Sequence, residues 1–185
     1  MSQARCGTVR RRSKSFDGLI LATLIVAVLL VGGAMSPARA RETVSFDNYP
    51  PGIIVIRSGE RRLYFTLGQG TAIRYPVAVG KHGHAWAGLA HIEGKYVRPA
   101  WSPPPEVKRD IPSLPDVIPG GSPHNPMGER ALTLDRDEIA IHGTNARMRA
   151  SVGTAASYGC IRMYNEDVID LYDRVQVGTP VLVLP

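Results

Sequence analysis

A chain of 185 residues with 22 Lys and Arg against 16 Asp and Glu carries a formal charge of +6, and its length suits one domain with a real core. The charge is uneven: Arg5, Arg10, Arg11, Arg12, Lys14 and Arg39 against Asp17 give residues 1–40 a charge of +5, leaving +1 for residues 41–185. Without a concentrated basic face, the second stretch is excluded as an electrostatic binder of nucleic acid.

The opening reads as a secretory signal peptide, 1–40. Arg10 to Lys14 form a basic n-region, Leu19 to Val31 an apolar run, and Ala38-Arg39-Ala40 a small-x-small cleavage site. Export to the periplasm or cell envelope is the expectation. Arg11-Arg12-Ser13-Lys14-Ser15-Phe16 weakly suggests a twin-arginine route, and the uncharged stretch Gly18 to Met35 would touch a membrane only if the leader stayed uncleaved. A linker, 41–49, is expected next, then one domain over 50–185.

Within that domain, Gly52 to Arg57 and Arg62 to Leu67 are β-branched and aromatic runs around Ser58-Gly59-Glu60-Arg61, a hairpin signal. Ala72 to Val79 reads as a third strand interrupted by Pro76, which suits an edge or a bulge. His82, His84 and His91 raise a metal reading, but flanking glycines argue for a loop and no carboxylate or cysteine completes a site, so no metal or other cofactor is expected. Gly88 to Gly94 reads as a short strand and turn. From Pro99 to Pro126 the chain carries nine prolines, which speaks against regular helix or central strand and for a lid or substrate-binding excursion. Trp101 is either a wall of the cleft or a core plug. Ala131 to Leu134 and Glu138 to His142 read as paired strands about Asp135-Arg136-Asp137. Asn165 reads as an N-cap, Val168, Leu171, Tyr172 and Val175 recur at helical spacing, and Pro180 to Leu184 is a final strand.

Ile141 to Met163 holds the chemistry. Cys160 has no cysteine partner beyond the leader's Cys6, and a thiol acts as a nucleophile once a nearby base takes its proton. His142, delivered at the end of a strand where Gly143 turns the chain, is the candidate base. Cys160 follows Ser157-Tyr158-Gly159, and the amides of Gly159 and Cys160 are the natural candidates for an oxyanion hole. A small buried cysteine is the bland alternative.

His142-Gly143, followed eighteen positions after His142 by Cys160 in Ser157-x-Gly159-Cys160-Ile161-Arg162, with Asn125-Pro126-Met127-Gly128 upstream, resembles the L,D-transpeptidases of the YkuD type over roughly residues 50 to 184. This chain has Tyr158 where that family commonly has His. The resemblance implies a Cys160 nucleophile, a His142 base whose tautomer is held by the Gly143 carbonyl, and a cleft bordered by Met127. It also implies a substrate carboxylate on Arg162, for which an ion pair to Asp167 or Glu166 is the structural alternative, and substrate contacts from Ser157 and Tyr158. The expected partners are peptidoglycan stem peptides. The expected reaction releases D-alanine from a tetrapeptide and passes the acyl group to an amine, giving 3-3 cross-links. Water as acceptor would make an L,D-carboxypeptidase and an envelope protein amine an anchoring enzyme, while a catalytically idle wall-binding module keeps only the fold. Mostly short strands with one good helix imply a mainly β, β-rich α+β domain, and the resemblance implies an L,D-transpeptidase-like β-sandwich with one main helix after the nucleophile.

Overall fold

The structure, a computed structural model, describes residues 41–185; the expected signal peptide lies outside the described residues. The chain there is β-rich, with eleven strands and two α-helices. Strand β1 (Glu42–Ser45) is followed by β2 (Ile54–Arg57), β3 (Arg62–Gly68), β4 (Thr71–Pro76), β5 (Val79–Gly80) and β6 (Gly88–Val97). Helix α1 (Pro105–Asp110) precedes β7 (Arg130–Leu134) and β8 (Ala140–His142). A 3-10 turn (Arg149–Ser151), β9 (Ala155–Ser157), β10 (Ile161–Arg162), helix α2 (Asn165–Arg174) and β11 (Pro180–Leu184) complete the order.

Nine strands form one sheet in the order β1-β4-β3-β2-β11-β6-β7-β8-β10, and β5 pairs with β9 beside it. The hairpin of β2 and β3 is antiparallel, with Ile54 opposite Phe65. The last strand to be made, β11, enters mid-sheet, parallel to β2 and antiparallel to β6. Strands from both halves of the sheet feed one apolar cluster, from Ile54, Leu63 and Tyr75 to Leu132, Ile141 and Ile161, so the two halves face the same core. Helix α2 packs on β7 and β8 and buries Val168 and Leu171 completely there. Each such side chain contributes about 1.5–3 kcal/mol of transfer free energy. The ammonium of Lys95 donates to the carbonyls of Tyr172 and Val175 at 2.7 and 2.6 Å, satisfying orphan acceptors at the C-terminal end of α2.

Several local expectations change. Residues 42–45, in the stretch read as linker, pair with β4. The run 72–79 is not one strand: it breaks after Pro76, whose nitrogen has no proton to donate, and resumes at Val79 in the second sheet. Between them Ala78 exchanges two backbone hydrogen bonds with Arg162, at 2.8 and 2.9 Å, tying this bend to β10. The short strand at 88–94 is a ten-residue strand, with a register shift between Ile92 and Gly94. The proline-rich excursion does contain a helix, because Pro105 stands at its first position, where the missing N–H would have had no partner. Asn165 does not cap α2; Tyr164 holds that position, and no side-chain cap bond forms.

Candidate active site

The side chain of Asn165 does something other than capping. Its Oδ1 accepts from the amides of Glu129 and Thr144, each at 3.1 Å, and its Nδ2 donates to the Thr144 carbonyl at 2.9 Å. Two loops therefore cross over one amide group, and both must be bare of side chains there. A Cβ on Gly143 or on Gly128 would fall on Asn165 Oδ1. Gly128 also has φ +67, which a glycine adopts without strain. Asn125 performs a similar service upstream: buried, it donates to the carbonyls of Pro99, Ile118 and Pro119 and accepts from the Met127 amide at 2.8 Å, holding the ends of the proline-rich segment together.

Bracketed in this way, the Gly143 carbonyl stands 2.7 Å from His142 Nδ1. A carbonyl only accepts, so Nδ1 carries the proton and Nε2 of the neutral ring keeps its lone pair. His142 is buried, and burial pushes its pKa down to about 4, with the Arg162 charge acting the same way against the opposing pull of the Gly143 and Pro126 carbonyls. The ring is neutral at pH 7.

Cys160 stands immediately before the neighbouring strand, β10. Strands β8 and β10 run parallel with Arg162 opposite His142 and Ile161 opposite Ile141. Ile141 and Ile161 turn into the core, which sets the alternating positions, His142, Cys160 and Arg162, on the other side. The thiol donates to the Glu138 carbonyl at 3.5 Å, and the His142 ring takes no part in that bond. Glu138 has φ +59 in the tight turn between β7 and β8, a conformation that costs a residue with a Cβ and here aims its carbonyl at the sulfur. Burial raises the thiol pKa, opposed by the Ala140 amide and the Arg162 charge. The resting pair is therefore thiol and imidazole, not thiolate and imidazolium.

The guanidinium of Arg162 donates to Ser151 Oγ and to the Ala156 carbonyl at 3.4 and 3.2 Å, while its buried Nε has no partner. The alternative ion pair to Asp167 or Glu166 does not form: Glu166 is taken by Arg149, and Asp167 leaves a buried Oδ2 unpartnered. Burial lowers the Arg162 pKa.

Two expected roles are corrected, those of the Ser157 hydroxyl and the Gly159 amide. Ser157 is fully buried, and its hydroxyl donates to the Cys160 carbonyl at 2.6 Å and accepts from the Gly159 amide at 3.1 Å. Ser157 therefore closes the loop before Cys160 on itself, and its hydroxyl is not free for a substrate contact. The Gly159 amide is committed to it and is not free for an oxyanion, which leaves the Cys160 amide as candidate. Trp101 is tied by two backbone bonds to Ile118 within the proline-rich excursion. The indole of Trp86 reaches the loop before Cys160, its Nε1 donating to the Gly159 carbonyl at 3.1 Å. Met127 is half-buried. Tyr158 is held by Asp110, which accepts its hydroxyl at 2.7 Å. His82 is exposed and His91 pairs with Asp135 at 2.9 Å. Among the described residues no group of three or more His, Cys, Asp or Glu could hold a metal ion, and no helix is long and apolar enough to cross a membrane. Asn165, Glu138 and Trp86 were missed because each bond joins a side chain to a backbone atom remote in sequence; the tight Asp135-Arg136-Asp137 turn was the one local signal.

The one thiol among the described residues, at the head of β10, and a tautomer-fixed imidazole at the end of the adjacent parallel β8 make a candidate Cys/His site on a β-rich fold. The chain belongs to the L,D-transpeptidase catalytic domain family, YkuD, whose model matches residues 51–183. It is 39% identical over 137 residues to the probable L,D-transpeptidase YbiS of Escherichia coli, an alignment covering 69% of this chain and 43% of that protein, so the chain spans less than half the length of this relative. A solved structure from Brucella melitensis, described as a probable carnitine operon oxidoreductase, is 42% identical with a TM-score of 0.54, covering 81% of this chain and 96% of that one. An L,D-transpeptidase from Mycobacterium smegmatis shares the fold at a TM-score of 0.57 and 19% identity, covering 72% of this chain and 58% of that one.

Proposed function

We propose that the chain is an exported peptidoglycan L,D-transpeptidase in which Cys160 is the nucleophile. The sulfur attacks the carbonyl of the third residue of a tetrapeptide stem, and the terminal D-alanine leaves. Proton transfer accompanies attack, because the resting thiol is protonated: the S–H turns from the Glu138 carbonyl to Nε2 of His142, which then protonates the departing amine. The amine of a second stem attacks the thioester, and a 3-3 cross-link results. No cofactor takes part.

The observation that carries this reading is the 2.7 Å contact of His142 Nδ1 with the Gly143 carbonyl, since it leaves Nε2 as the acceptor on the strand beside Cys160. The contact supplies what an acidic third residue would otherwise provide, orientation and tautomer, without a carboxylate. Arg162, a half-buried cation with no carboxylate partner among the described residues, favours a negative charge close by, either the developing thiolate or a substrate carboxylate. The amide of Cys160 takes the oxyanion.

Incubating residues 41–185 with disaccharide tetrapeptide and following products by mass spectrometry tests the reading. Loss of D-alanine with dimer formation supports it. Tripeptide monomer alone assigns water as acceptor, transfer to an added envelope protein amine assigns anchoring, and unchanged substrate with unmodified Cys160 overturns it in favour of an idle wall-binding module. Cys160→Ala and His142→Ala are each expected to lose turnover.

A further inference from the structure

Tyr158 stands two residues before Cys160 and is the meeting point of three segments that are remote in the chain. Its hydroxyl donates to Asp110 Oδ2, at the end of α1, at 2.7 Å. The ammonium of Lys81 lies 3.6 Å from the centre of its ring and 4.0 Å from the same Asp110 carboxylate. The imidazole of His84 meets the ring edge-on at 5.1 Å and lies 3.5 Å from Glu106 at the other end of α1. The Tyr158 hydroxyl bond is the largest influence holding the Asp110 carboxyl below its usual range. Helix α1 is six residues long, buries only Val107, and has no side-chain cap at its start. A helix that short does not hold itself in place, so what docks it must be tertiary.

We infer that Tyr158 is a positioning residue: through Asp110, with Lys81 and His84 on either side, it clasps α1 of the proline-rich excursion to the loop that carries Cys160. The clasp makes α1 one wall of the donor site. Nothing in the backbone continuity of either segment would keep them together, since Tyr158 and Asp110 are 48 residues apart. The inference rests on the proposed reaction for its kinetic consequence and on the contacts alone for its structural one.

The test uses the full chain with Tyr158→Phe, Asp110→Ala and the double variant. Hydrogen exchange is read at the amides of Lys108 and Ile111, which bond to the Pro104 and Val107 carbonyls within α1. Donor kinetics with disaccharide tetrapeptide are read in parallel. Each single variant is expected to speed exchange at those two amides about tenfold, the factor that loss of one charge-assisted hydrogen bond brings. KM should rise several-fold with kcat little changed, and the double variant should add little to Asp110→Ala, which removes the Tyr158 bond together with the Lys81 pair. Wild-type exchange at both amides, or additive effects in the double variant, would overturn the clasp. Faster exchange with an unchanged KM would overturn its part in donor binding. The expected exchange difference between variants and wild type, with a wild-type chain that never acylates, would instead overturn the reaction and leave the clasp standing.

Discussion

Asn165 Oδ1 lies 3.1 Å from the Thr144 amide, and its Nδ2 lies 2.9 Å from the Thr144 carbonyl, so one side chain on the first residue of α2 grips both backbone groups just beyond the His142-Gly143 pair. The helix thereby fixes the carbonyl that in turn fixes the imidazole. Asn165→Ala leaves two amides and a carbonyl without partners in a half-buried place, at a cost of about 2–4 kcal/mol. Urea unfolding should show that loss, and acylation of Cys160 should slow further than the folded fraction explains.

Gly143 has no room for a side chain for the same reason. Gly143→Ala drives its Cβ into Asn165 Oδ1 and should destabilise by about 1–3 kcal/mol. In an Asn165→Ala background the clash is gone, so the same substitution should cost clearly less. Equal costs in the two backgrounds, measured by a double-mutant cycle, would disprove the bracket.

The depressed pKa of His142 sets an acid limit. With a folded value of about 4 against an ordinary 6.5, the native state binds fewer protons than the unfolded chain. Its contribution to stability is full above pH 6.5 and is lost as pH falls towards 4. Activity that needs the neutral ring should persist down to about pH 4, and titration of the ring nitrogens by NMR should show the same midpoint. A midpoint near 6.5 would contradict the burial argument.

Asp167 works in the opposite direction. Burial, then the neighbouring Glu166, raise its pKa to about 6 from 3.8, and one carboxylate oxygen is buried without a partner. A raised carboxyl contributes stability below pH 3.8 and loses it as pH rises through 6. Asp167→Asn should therefore stabilise the chain at pH 8, by about 1–3 kcal/mol, and bring no gain below pH 4. Unfolding curves at the two pH values check both halves.

Arg162 acts on both members of the pair through its charge: it lowers the His142 and the Cys160 pKa. Arg162→Gln should move both upward. The rate of Cys160 alkylation by iodoacetamide should then reach its alkaline plateau at a higher pH than in the wild-type chain, which a rate–pH profile reads directly.

What the order of residues determined by itself is local. Alternation of β-branched residues about Ser58-Gly59 makes the first hairpin, the spacing of Val168, Leu171 and Val175 makes α2, and His142 at a strand end with Cys160 after a glycine marks the candidate pair. Where a local signal had two readings, only the folded chain chose between them. Asn165 looks like a cap because caps are asparagines, yet two distant loops compete for its amide and win. Pro105 looks like a helix breaker, but at the first position of α1 the ring costs nothing. Ser157 and Gly159 look open to substrate until their hydroxyl and amide bond to each other. Glu138, Trp86 and Asp110 bear no mark of their placing, because each meets the Tyr158–Cys160 loop through a backbone atom or a phenol more than twenty residues away. Strand order decided that, and it goes with burial: eight of the nine strands feed the main apolar cluster, and β1 packs on a second, smaller one around Val55 and Tyr64.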